Sequence, residues 1–193
     1  MTDTTNVLLA GVGGQGVILA SEILALAAIA AGYDAKQTEV HGVSQRGGSV
    51  FSHVRFGSKI RSPLIKPGQA DVVFGMEKLE ALRFAHYLKE GGLLLVNDHG
   101  IMPVSAGEAV AEYPHQAVEF LKGKGLEVLD IKATELAESL GNHRVANVIM
   151  LGALSHFLDI DQGTWQKILR ERIPERFLAL NLEAFAQGVR VAS

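Results

Sequence analysis

The chain of 193 residues contains no cysteine. Iron–sulfur clusters are held by cysteine thiolates, so this polypeptide cannot ligate one by itself. Disulfides and Cys-based zinc sites are excluded on the same ground. Any redox centre it serves has to come from a diffusible cofactor or from another polypeptide. An excess of basic charge is lacking too: 18 Lys and Arg stand against 21 Asp and Glu, for a formal net charge of −3. No basic field is available to attract nucleic acid or an anionic membrane. The longest apolar stretch, Val17–Ala31, contains Ser21 and Glu22. It falls short of the roughly 18–20 apolar residues that a membrane span needs. The opening residues MTDTTN are polar and acidic, unlike the basic start of a signal peptide. These absences predict a soluble, cytoplasmic protein with neither a nucleic-acid nor a membrane partner.

What is present is apolar material: 48% of the residues are hydrophobic, enough for a sizeable core. No repeat, low-complexity tract or linker divides the chain, so a single domain over residues 1–193 is expected. Asn6–Ala10 is a short apolar run ending at glycines, which suits a buried strand. A helix from about Gly14 to Ala31 stops at Gly32, and Asp34–Val40 reads as a second strand. This strand–helix–strand order, with a nearly all-apolar helix, predicts a mainly parallel sheet covered on both faces, a Rossmann-like α/β fold. Ser49–Phe56 alternates as a strand, and Lys59–Leu64 is expected to return as its hairpin partner across Gly57-Ser58. Asp71–Phe74, Gly92–Val96 and Glu127–Ile131 read as further core strands. Helical periodicity covers Glu77–Glu90 and Thr134–Leu140. Beyond Gly141 the pattern is helical to the end, over Val145–Leu158, Thr164–Arg172 and Arg176–Gly188. Asp161 is the expected N-cap of the second of these, and Pro174 separates the last two.

Two glycine-rich loops carry the functional signal. Gly11-Val12-Gly13-Gly14-Gln15-Gly16 fits G-x-G-x-x-G between a strand and a helix. In that pattern the first glycine makes the turn, the second lets a phosphate approach and the third permits close helix packing. The helix start beyond it offers unpaired N–H groups to an anion. The same glycines equally suit a tight turn packed against a neighbouring subunit, because fold alone does not fix function. A dinucleotide site also requires an acidic residue at the end of the second strand. Glu39 is the better placed candidate, Asp34 the poorer, and Glu39 reads more simply as a polar anchor for the loop that follows.

That second loop, His41-Gly42-Val43-Ser44-Gln45-Arg46-Gly47-Gly48-Ser49, emerges at the same carboxyl edge of the sheet as the first, where ligands bind in open α/β folds. Arg46 has the fork geometry for a phosphate or carboxylate, and Gly47-Gly48 can curl into a nest of N–H groups. The candidate binding residues are therefore Gly11, Gly13, Gly14, Gln15, Gly16, Ser44, Gln45, Arg46, Gly47 and Gly48. Other polar positions are weaker. His53 and Arg55 share one strand face and suit a solvated or interfacial role. Asn97-Asp98-His99 follows a core strand but reads as a turn, with too few ligands for a metal. His143-Arg144 reads as a helix start. No spacing indicates a nucleophile–base pair, so no catalytic residue and no metal ligand are assigned.

Taken together, the G-V-G-G-Q-G run at Gly11–Gly16, Glu39-Val40-His41-Gly42 and Ser44-Gln45-Arg46-Gly47-Gly48-Ser49 resemble the gamma-type domain of the 2-oxoacid:ferredoxin oxidoreductases. Within that family the pattern and length resemble the small beta subunit of the indolepyruvate branch. The likeness continues through Arg61–Ile65 and Asn147–Gly152 into the C-terminal helices. It implies oxidative decarboxylation of an aryl 2-oxoacid to an acyl-coenzyme A with ferredoxin as acceptor. It also implies that thiamine diphosphate and iron–sulfur clusters reside on a larger alpha subunit. This chain would carry no cofactor of its own and would help shape a coenzyme A or thiamine-proximal pocket. Two alternatives stay open on the residues alone: a free-standing NAD(P)- or flavin-binding oxidoreductase, and a non-catalytic scaffold whose glycine loops only pack against a partner.

Overall fold

The computed structural model describes residues 4–41, 48–102 and 115–193. Within them, β1 (Thr4–Val12) leads into α1 (Val17–Ala30) and β2 (Asp34–His41). β3 (Ser49–Gly57) and β4 (Ala70–Gly75) follow, then the short α2 (Lys78–Phe84) and β5 (Leu88–Asn97). α3 (Ala117–Gly123) and β6 (Glu127–Ile131) complete the sheet. Four helices close the chain: α4 (Ala133–Ser139), α5 (Ala146–Ser155), α6 (Gln162–Arg172) and α7 (Glu175–Ala192).

The six strands run in the order β2-β3-β1-β4-β5-β6. Pairing is parallel from β1 through β4 and β5 to β6. It is antiparallel where β3 lies between β1 and β2. The β1–α1–β2 unit thus keeps its two strands pointing the same way, as the sequence predicts, but with a reversed strand inserted between them.

Side chains alternate across the sheet, so each central strand feeds two cores. Val7 and Leu9 of β1, with Phe74 and Leu95, face α1 and the C-terminal helices. Leu8 and Ala10, with Val73 and Leu94, face α2 and α3. The near-continuous apolar runs of β1, β4 and β5 follow from burial on both faces. At the centre of the larger core all ten residues of α5 are buried. Its contact with α7 depends on glycine: a Cβ on Gly152 would sit 2.1 Å from the Phe185 carbonyl oxygen, and one on Gly188 would sit 1.8 Å from that of Ile149. The predicted N-cap is present, Asp161 accepting from the Thr164 N–H at 2.9 Å.

Two expectations need correction. Lys59–Leu64 is not a strand, because both edges of β3 are already taken by β1 and β2. The segment is held by side chains instead. Arg55 donates to the carbonyls of Ser62 and Leu64, Asp34 accepts from the Ile60 N–H, and His53 Nδ1 accepts from the Ile65 N–H. The hairpin therefore joins β2 to β3 across residues 42–48. The helix expected to reach Glu90 ends at Phe84 and, after a 3-10 turn at Ala85–Tyr87, gives way to β5. Leu88 already pairs with Ala70 of β4, and sheet pairing outweighs local helical periodicity.

Candidate functional site

The carboxyl ends of β1, β4 and β5 point to one edge, where the first glycine loop sits and where the described ends of the second also lie. Gly13 N–H donates to the Gly48 carbonyl at 2.9 Å, so the first loop is tied to the described end of the second. Val12 pairs with Ser49 and His41 with Val50, which places the ends of the second loop at the predicted edge. Ser44, Gln45, Arg46 and Gly47 lie outside the described residues.

The glycines of the first loop have separate physical duties. A Cβ at Gly11 would meet Gln15, Val17 and Met76 within 2.9 Å, so this position exists for close packing. Gly16 adopts φ 77° at the start of α1, left-handed backbone that suits glycine. Its carbonyl accepts from Asn147 Nδ2 of α5 at 3.2 Å, and the space a side chain would need is taken by that amide. No side chain caps α1, so its first-turn N–H groups keep their donor capacity. Gln15 turns inward: its Oε1 accepts from the Val12 N–H at 2.7 Å and its Nε2 donates to the Met76 carbonyl at 3.0 Å.

Beside Gly13, Gly14 and Gln15 opens a cavity of about 300 Å³. Its other wall comes from Asn97, His99, Thr134, His143 and Arg144, and no carboxylate of the described residues lines it. Asn97 is wholly buried at the end of β5, while His143 and Arg144 are exposed. The chain after β5 is pinned by α2. Lys78 N–H donates to the His99 carbonyl at 3.0 Å, Lys78 Nζ bonds Asp98 at 2.8 Å, and the Glu77 carboxylate accepts from the Ile101 N–H at 3.0 Å. Asn97 and Arg144 are the residues that sequence reading passed over as a turn and a helix start. The available signal was a polar side chain at the carboxyl end of the apolar run Gly92–Val96, the edge where ligands bind.

Buried acids also stand at this edge. Glu80 accepts from the Ser49 hydroxyl and from Arg83, and burial pushes its carboxyl above the usual range against the pull of both partners. Half-buried Glu39 accepts from Gln37 at 3.1 Å, and Gln37 also donates to the buried Ser21 hydroxyl, which ties the edge strand to α1. His53 is buried among Phe51 and Tyr87 rather than solvated or interfacial. Among the described residues no cluster of His, Asp and Glu could hold a metal ion. None of their helices is long and apolar enough to cross a membrane.

A mainly parallel α/β layer with a glycine loop and a cavity at its carboxyl edge defines a Rossmann-like domain. The chain belongs to the pyruvate ferredoxin/flavodoxin oxidoreductase family, whose model matches residues 6–191. It is 37% identical over 194 residues to indolepyruvate oxidoreductase subunit IorB of Thermococcus kodakarensis, covering 97% of this chain and 95% of that protein. It is similar in structure to the gamma subunit of a keto/oxoacid ferredoxin oxidoreductase from Geobacter sulfurreducens. That match has a TM-score of 0.73 and 28% identity, over 97% of this chain and 98% of the other. A 2-oxoglutarate:ferredoxin oxidoreductase from Magnetococcus marinus contains the same fold. Its TM-score is 0.78 at 23% identity, over 100% of this chain and 31% of that one. The subunit reading is the one these relatives support, rather than a free-standing dinucleotide oxidoreductase.

Proposed function

We propose that this chain is the small subunit of an indolepyruvate-type 2-oxoacid:ferredoxin oxidoreductase, working as one unit over its whole length in the cytoplasm. The observation that carries the reading is the 37% identity to an indolepyruvate oxidoreductase subunit over nearly the full length of both chains. The reaction converts an aryl 2-oxoacid and coenzyme A to an aryl-acetyl-coenzyme A and carbon dioxide. The thiol proton is released, and the electron pair left by decarboxylation passes to oxidised ferredoxin. A larger partner subunit supplies thiamine diphosphate and the iron–sulfur clusters, in keeping with the absence of cysteine here. This chain contributes the anion-friendly edge: Gly11, Gly13, Gly14 and Gly16 with the Ser44–Gly48 loop, where Arg46 meets an anionic group at the subunit interface.

The test is co-purification of the tagged chain from its own cells, followed by assay of whatever large subunit it retains. A partner carrying thiamine diphosphate and clusters, and indolepyruvate-dependent ferredoxin reduction that needs coenzyme A, are expected. In that complex Arg46→Ala weakens assembly or raises the KM for coenzyme A or oxoacid, by about tenfold for a lost charged hydrogen bond. Emergence of the chain alone with a bound dinucleotide would overturn the subunit reading.

A further inference from the structure

The far wall of the cavity is set by one buried amide. Asn97 Nδ2 donates to the Met76 carbonyl at 3.1 Å and to Thr134 Oγ1 at 2.9 Å, while its Oδ1 accepts from the Thr134 N–H at 3.2 Å. The Met76 carbonyl also takes Gln15 Nε2, whose own oxygen holds the Val12 N–H. A continuous belt of hydrogen bonds thus runs from β1 past the end of β4 to β5 and the start of α4. The belt leaves Asn97 no freedom to flip. Exchanging its oxygen and nitrogen would set two acceptors together at Met76 and two donors together at the Thr134 N–H.

The consequence falls on Thr134. Its oxygen accepts from Asn97, so its hydroxyl proton is left to be donated elsewhere, and Thr134 lines the cavity. On the same wall the Arg144 guanidinium has no ion-pair partner among the described residues, and His99 and His143 complete a lining to which those residues contribute no carboxylate. A hydroxyl donor and a guanidinium facing a cavity of about 300 Å³ match an oxygen-rich anion of the phosphate class.

We infer that Thr134 and Arg144 are ligand-binding residues that hold a phosphate-class group of the co-substrate, and that Asn97 is the positioning residue that aims Thr134. The identity of the ligand as coenzyme A rests on the proposed function; the anion site itself does not.

Two measurements separate the two. In the assembled enzyme, Thr134→Val raises the KM for coenzyme A by about tenfold, the scale of one hydrogen bond to a charged group, with the loss read in KM rather than kcat. The KM for the oxoacid stays unchanged, and Thr134→Ser restores the wild-type value. Arg144→Met, at an exposed position whose guanidinium makes no ion pair among the described residues, gives a rise of similar size that shrinks at high ionic strength. In parallel, the isolated full-length chain is titrated calorimetrically with inorganic pyrophosphate. Weaker binding by Thr134→Val and Arg144→Met than by wild type and Thr134→Ser supports the anion site even if the assembled enzyme makes no use of coenzyme A. Equal KM values in all four proteins, or pyrophosphate binding indifferent to both substitutions, would overturn the inference.

Discussion

His53 is a titratable group built into the interior of a sheet face. Its Nδ1 accepts the Ile65 N–H at 3.2 Å, which requires the neutral ring with its proton on Nε2. Burial foremost, and then the positive charge of Arg55, hold its pKa below the ordinary 6.5. The unfolded chain therefore takes up a proton at a higher pH than the native one does. Stability from this residue is complete above 6.5 and is lost as pH falls from there toward the native value, below which both states are charged. His53→Asn keeps an acceptor near Ile65 but cannot titrate. Its melting temperature should be lower at neutral pH, because the ring leaves Phe51 and Tyr87, yet fall less steeply between about pH 7 and 5. A melting series over that range checks it, and an unchanged slope would remove His53 as a cause. At this scale the sequence was legible only in part. Gly11 and Gly16 announced themselves by spacing, whereas Asn97 and Thr134 lie 37 residues apart and acquire a joint meaning only when β5 and β6 pair.

Helix α5 shows what an element owes to two missing side chains. Gly152 and Gly188 let α5 and α7 touch backbone to backbone, and neither has room for a methyl group. Gly188→Ala, which by helix propensity alone would be favourable, is instead expected to destabilise by about 1–3 kcal/mol through overpacking. Urea unfolding would show this as a lower midpoint; a higher midpoint would mean that the helices part without cost. Periodicity found β6 and the last three helices because their patterns are long or cleanly bounded. It failed at residues 59–64 and 85–90, where the outcome was decided by which sheet edge was free and by Ala70 pairing with Leu88. Neither fact is local, so no window of sequence contains it.

For the whole molecule, the two cores share β1, β4 and β5, each strand giving alternate residues to each side. Such sharing predicts that the layers unfold together. Trp165 is the only tryptophan, is fully buried and packs on Phe185 in the larger core. Its fluorescence and the far-ultraviolet circular dichroism should give midpoints that agree within about 2 °C, the signature of a two-state transition. Separate transitions would show that the helical C-terminal layer is an independent unit. Fold class was legible at this scale because strand–helix–strand alternation constrains topology, and so was the placing of the second loop's described ends at the edge of the first. The inserted β3 was not, since its place between β2 and β1 depends on pairing with β1, which lies far back along the chain.

That reversed strand bears on how such a protein diversifies. β2 and β3 form a marginal flap attached to the rest of the sheet only through the β3–β1 ladder. The turn joining them can lengthen at an entropic cost that rises only logarithmically with its length. Sequence changes between residues 41 and 49 therefore reach the rim proposed to meet the partner subunit, while the parallel ladder of β1, β4 and β5 is left undisturbed.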